Sequence, residues 1–199
     1  MAIDLTAAFA IAELSMRMGR VHRITQHPDG HPESDAEHSL MLALVAAEYA
    51  PARLDRELIL GYALVHDLVE AAGAGDTPSL VELTPVQASA KDAREAAALE
   101  VIRAEVGADS WLVKQIEDYE AQTTSEARWV RHLDKCMPKL THAFNGGAAI
   151  RAQGVTLEAT ARRVEGQIGK IDPALPEAVE FARAAWVMVE ARWQPVEGR

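Results

Sequence analysis

The chain has 199 residues, 49% of them hydrophobic and 25% charged, which suits one soluble domain with a sizeable core. A formal net charge of -10 argues against a nucleic-acid polymer or an anionic membrane as partner. Cys136 is the single cysteine, which excludes an intramolecular disulfide, and no window reaches the roughly 18 uninterrupted apolar residues of a membrane span.

Residues 1–199 read as one all-α helical bundle, with no linker, internal repeat or low-complexity tract. The first helix runs from Ile3 to roughly Met18 and stops at Gly19. Asp4 and Glu13 interrupt its apolar stretch and no basic segment precedes it, so it does not resemble a signal peptide, and a cytoplasmic protein is expected. Pro28, Gly30 and Pro32 mark residues 20–32 as a loop. His27 and His31 are four apart, but Pro28 and Gly30 between them preclude a helix, so the pair reads as solvated loop.

Ser34 and Glu37 have capping-box spacing, which starts a second helix that runs to about Tyr49 with His38 in its first turn. Asp55 caps a third, apolar nearly all round and therefore central, which continues through Val69 to a loop at Gly73–Pro78. Thr84 and Pro85 open a fourth, closed by Gly107. A short helix spans about Ser110 to Ala121. Another starts at Thr124 or Ser125 and carries Trp129, Asp134 and Leu140, with a kink or break expected at Pro138 and an end at Asn145-Gly146-Gly147. Two more cover roughly Thr156 to Lys170 and Pro176 to Trp193. The apolar residues Trp186, Val187, Val189 and Trp193 of the last are candidates for the interface of a homo-oligomer.

His38, the adjacent pair His66-Asp67, and Asp134 form an H…HD…D series in these helices. Buried polar groups need compensation by a hydrogen bond, an opposite charge or a metal ion. Two imidazoles and two carboxylates can together hold one divalent cation, among Co, Mn, Zn, Fe and Ni. Glu70, four residues after His66 and three after Asp67, shares their helix face and is placed to take a proton from water. Taken singly, each residue has an ordinary structural reading: His38 as a satisfied helix-start histidine, Asp134 as a partner of Arg131 or Lys135, His66 and Glu70 as an i,i+4 pair. The series as a set is what points to a metal.

These residues, with Ala36-Glu37-His38-Ser39-Leu40, His66-Asp67-Leu68-Val69-Glu70, Gly75-Asp76 and Leu133-Asp134-Lys135, resemble the HD-domain metal-dependent phosphohydrolases. The likeness is to the short branch that contains 5'-deoxynucleotidases and small phage deoxynucleotide triphosphohydrolases, and it covers roughly residues 10–145. It implies an HD-type helical bundle in which His38, His66, Asp67 and Asp134 bind a divalent metal, with Mg added to the candidates. It further implies that Glu70 and Asp76 are catalytic acids, Glu70 beside the attacking water and Asp76 near the leaving group or sugar. Arg23, fifteen residues before His38, falls where that branch has a substrate-contacting arginine. Lys135 and Lys139 follow Asp134 by one and five residues and are further candidates to neutralise phosphate. A nucleotide is the expected small-molecule substrate, and both release of one phosphate and release of tripolyphosphate fit these residues. A helical domain that binds nucleotide or a partner without catalysis would be expected to lack a ligand or Glu70, and all are present.

Overall fold

The computed structural model describes residues 5–75 and 84–194. Helix α1 (Thr6–Met18) leads into a two-stranded antiparallel hairpin, β1 (His22–Gln26) and β2 (Pro32–Ser34). This corrects the loop expected over 20–32. His22 pairs with Ser34 and Gln26 with Pro32, and an irregular register between them absorbs the unequal strand lengths. The Asn145 side chain donates to Gln26 O at 2.6 Å and ties the hairpin to the body.

Helix α2 (Asp35–Glu48) starts at the expected capping box: Ser34 Oγ accepts from Glu37 N, and Glu37 Oε2 accepts from Ser34 N at 2.8 Å. Helix α3 (Arg56–Val65) is capped by Asp55, whose Oδ1 accepts from Glu57 N and Leu58 N. It ends at Val65, four residues short of the expected Val69, and a separate π-helical turn covers Glu70–Ala74. Inside that turn Gly73 has φ 125°, a conformation that side-chain-bearing residues rarely adopt.

The chain continues with α4 (Pro85–Val106), α5 (Trp111–Ala121), α6 (Ser125–Asp134) and α7 (Met137–Phe144). The break between α6 and α7 falls at Lys135-Cys136, directly after Asp134, and Pro138 sits in the first turn of α7, where a missing N–H costs nothing. A short α8 (Ala148–Ala152), not expected from the sequence, precedes α9 (Leu157–Ile168) and α10 (Pro176–Arg192).

Two apolar clusters hold the bundle. One packs Leu42, Ala46, Ile59, Tyr62, Trp129 and Leu133 with the inner face of α10, and Trp129 Nε1 donates to Ala46 O across 2.9 Å. The other gathers Leu14, Val65, Leu68, Ile102, Val113 and Ile116. Helix α3 contributes to both, and its C-terminal end lies at their seam. It is not buried all round: Leu60 and Leu64 are exposed, as are Leu40 and Leu44 of α2. Trp186 and Val189, expected at an interface, are buried in the core, while Val187 is exposed. No helix among the described residues is long and apolar enough to cross a membrane.

His142 of α7 is buried, and burial holds its imidazole down at about 4, with Glu33 opposing and Lys139 adding to the shift. In the unfolded chain the same group titrates at 6.5, so between these values the unfolded state binds more protons and stability falls as pH falls. The loss attributable to this group reaches roughly 3 kcal/mol by about pH 4. Urea titrations between pH 7 and 4 should show His142→Gln losing less stability than wild type by about that amount.

Candidate metal centre

His38 is fully buried one turn into α2, and both ring nitrogens have carboxylate neighbours. Nδ1 lies 2.9 Å from Glu33 Oε1, and Nε2 lies 2.9 Å from Asp134 Oδ1. Glu33, the middle residue of β2, also accepts a hydrogen bond from Thr141 Oγ1 at 2.9 Å, so its carboxylate is fixed from two sides. His66 caps the C-terminal end of α3, and its Nδ1 donates to Ala63 O at 2.8 Å. That bond points Nε2 at the acids: Asp67 Oδ2 is 3.0 Å away and Asp134 Oδ1 3.8 Å away. His66 Nε2 nevertheless makes no hydrogen bond of acceptable geometry, although it is shielded from solvent.

A neutral imidazole that donates through Nδ1 presents a lone pair at Nε2. Here both lone pairs face anionic oxygen, an arrangement that repels unless a positive charge lies between. Protons are one answer. Burial alone lowers the His66 pKa, but Asp67 and Asp134 carry it well above the ordinary histidine value, and His38 is raised by Asp134 and Glu33 against the same penalty. The acids shift the other way: burial raises Asp67, yet His66 and Arg23 bring it to about 2, and the two imidazoles hold Asp134 well below the usual range.

A divalent cation is the other answer, and the donor set fits it. Ligand atoms of His38, His66 and Asp67 lie within 4.8 Å of one another, and Asp134 Oδ1 stands near both imidazoles. At bond lengths of about 2.1 Å, adjacent octahedral ligands are roughly 3 Å apart, so only small movements would close the shell.

Glu70 opens the π-helical turn, buried, with a carboxylate oxygen within 4.8 Å of oxygens on Asp35 and Asp67. Arg23 of β1 places Nη1 2.7 Å from Asp67 Oδ2 and 3.3 Å from Asp35 Oδ1. It also lines a small cavity of about 90 Å³ with Asp134, Lys135, Lys139, His142 and Arg163. A larger cleft of about 560 Å³ adjoins it, sharing Lys135, Lys139, Arg163 and Gln167, and adds Arg162 and Lys170. Lys135 is exposed at the break after α6. Lys139 is buried, and its ammonium donates to Lys135 O at 2.7 Å and Gln167 Oε1 at 2.9 Å, so it is directed to the protein rather than to the opening. Asp76 lies outside the described residues.

The HD-domain family profile matches residues 17–175, which include every described residue of this cluster. The chain belongs to the HD-domain family. A solved structure from Magnetospirillum magnetotacticum MS-1, described as a predicted metal-dependent phosphohydrolase, superposes with a TM-score of 0.76 at 27% identity, covering 94% of this chain and 93% of that one. A conserved hypothetical protein from Pyrococcus furiosus shares the fold, with a TM-score of 0.56 at 22% identity over 88% of this chain and 99% of that one. Among curated proteins, human 5'-deoxynucleotidase HDDC2 is 30% identical over 122 residues, and the bovine protein of that name is 30% identical over 124. Each match covers 60% of this chain, which thus spans 56% of the length of those relatives. Together these likenesses support a metal-dependent phosphohydrolase on an HD-domain scaffold.

Sequence reasoning missed Glu33 and Asp35 in this HD-domain centre. Glu33 was not singled out and Asp35 read only as part of the helix start, whereas β2 and the first turn of α2 bury both. It also missed Arg162 and Arg163, which look like the solvated face of α9. Glu33 is the most informative of these, because a carboxylate on the far nitrogen of a ligating histidine fixes the tautomer and raises basicity. Glu33→Gln should weaken binding of Mn or Co about 10- to 100-fold while leaving helicity intact, measured by calorimetric titration and far-ultraviolet circular dichroism.

Proposed function

We propose that the protein is a divalent-metal-dependent phosphohydrolase that cleaves (deoxy)nucleotides on the 5'-phosphate side, with His38, His66, Asp67 and Asp134 as metal ligands. The observation that carries this reading is the convergence of two buried imidazole Nε2 atoms on Asp134 Oδ1, with Asp67 Oδ2 beside one of them, a donor set that fits a divalent cation. The relatives named 5'-deoxynucleotidase support the substrate class. A cation held there supplies Lewis acidity at a phosphate oxygen and acidifies water at neutral pH.

The chain's own residues supply the rest. Glu70, beside Asp67, takes the proton of the attacking water; as that oxygen bonds to phosphorus, the bond to the 5'-oxygen of the sugar breaks and that oxygen takes up a proton from solvent. Arg23, on the wall of the cavity that reaches Asp134, opposes phosphate charge and holds Asp67 in place. Lys135 adds a cation at the opening, and Lys139 sets the spacing between α7 and α9 through Gln167. Asp76 is assigned the leaving-group side on the strength of the resemblance.

One observation favours a second reading, release of tripolyphosphate from deoxynucleoside triphosphates. Lys135, Arg162, Arg163 and Lys170 line the adjoining cleft, a local positive field in a chain of net charge -10. Anion-exchange analysis of products over a nucleotide panel with Mn, Co or Mg separates the two by the appearance of phosphate or tripolyphosphate. His66→Ala and Asp67→Ala should abolish turnover and metal binding at this centre, with helicity retained. Glu70→Gln should lower kcat about 10²- to 10⁴-fold with the metal still bound. Turnover that survives the ligand substitutions, or no turnover of any nucleotide with any of these metals, would overturn the proposal.

A further inference from the structure

The hairpin tip holds a second convergence of metal-ligating side chains. His27 and His31, separated by the turn Pro28-Asp29-Gly30, are brought together by His27 N donating to His31 O at 2.9 Å. Their rings stack with centroids 4.1 Å apart. Both Nε2 atoms lie 3.6 Å from Glu37 Oε1, in the first turn of α2, and ligand atoms of the three residues fall within 4.8 Å of one another.

Each side chain is set up for a ligand. His31 Nδ1 lies 2.6 Å from Asp29 Oδ1, which leaves the Nε2 lone pair for a ligand and makes it more basic. Glu37 commits Oε2 to Ser34 N and Ser34 Oγ at 2.8 and 2.7 Å, so Oε1 is the oxygen turned toward the imidazoles. His27 Nε2 is shielded from solvent yet makes no hydrogen bond. Tetrahedral ligands at about 2.0–2.1 Å from zinc stand roughly 3.4 Å apart, within a few tenths of an ångström of the spacing to Glu37 Oε1. Glu37 and His38 are neighbours in sequence but point apart, one half-exposed and the other fully buried, so the two clusters share no ligand.

We propose that His27, His31 and Glu37 form a separate site for a zinc-type transition metal, completed by water. Two imidazoles and one carboxylate select zinc, cobalt, nickel or copper over magnesium or calcium. The ion clamps the hairpin tip to the start of α2 and so steadies the strands that carry Arg23 and Glu33.

The test uses untagged full-length protein, stripped by chelator, loaded with Co(II), gel-filtered and assayed for bound cobalt and its visible spectrum. Wild type should hold two ions per chain. His27→Ala/His31→Ala should hold one and lose the intense visible bands of four-coordinate cobalt, with an unchanged circular dichroism spectrum. His66→Ala/Asp67→Ala should hold one and keep those bands, and Asp29→Asn should weaken the outer site about tenfold or more. The inference is overturned if the hairpin variant binds as many ions as wild type, or if the visible bands disappear only with the His66/Asp67 substitutions. If the central assignment is the one in error, the His66/Asp67 variant matches wild type while the hairpin variant still loses an ion.

Discussion

Asp134 Oδ1 stands 2.9 Å from one buried imidazole nitrogen and 3.8 Å from another, and much of the surrounding architecture exists to make that crowding tolerable. Each imidazole has its far nitrogen occupied, His38 by Glu33 and His66 by the Ala63 carbonyl, so neither ring can turn away. Buried ions of one sign cost several kcal/mol each unless opposite charge is placed beside them. The cluster gathers Glu33, Asp35, Asp67, Glu70 and Asp134 around His38, His66 and one guanidinium, Arg23. Neutral histidines leave that sum strongly negative. Two protons on the rings or one divalent ion would offset about half of it, and competition between the two would link metal affinity to pH.

Interrupted helices build the centre. Had α3 continued unbroken, Glu70 would lie one turn above His66 on the same face; instead α3 stops at Val65, and the π-helical turn presents Glu70 beside Asp35 as well as Asp67. Irregular turns of this kind are frequent at functional sites because they re-aim one side chain without moving the helix. The break after Asp134 has a matching effect, ending α6 so that its last residue reaches His38 while Lys135 is released to the cleft. Each break stays within one apolar cluster, Leu133, Cys136 and Met137 flanking one in the first and Val65, Leu68, Val69 and Ala71 flanking the other in the second, so packing holds the chain on both sides.

His38, His66, Asp67 and Asp134 were readable as a set because three of the four are ionisable residues in otherwise apolar helix, which demands a reason, and the structure does bring them together. The capping box at Ser34 and the helix start at Thr84-Pro85 were readable for similarly local causes, the fixed spacing of cap hydrogen bonds and a proline that needs no N–H there. The hairpin was not. A strand of five residues and another of three, separated by Pro28 and Gly30, carry no alternating pattern long enough to detect, and the hairpin is tied to the body by Asn145, more than a hundred residues away. With the hairpin hidden, so were Glu33, Asp35 and the stacking of His27 on His31. Arg162 and Arg163 escaped notice because a basic pair on an amphipathic helix looks the same whether it faces bulk water or a cleft.

The hairpin therefore carries more of the chemistry than its eight strand residues suggest. Its first strand brings Arg23 to Asp67, its second brings Glu33 to His38, and its tip brings His27 and His31 to Glu37. Glu37 Oε2 closes the capping box that starts α2, so a ligand on the other oxygen of that carboxylate acts on the same turn that positions His38 one residue later. An ion at the tip, if bound as proposed, would be linked to the centre through one turn of helix and two short strands. That path needs no domain motion. Its last step is the Glu33–His38 contact, 2.9 Å long, which fixes the tautomer of that imidazole.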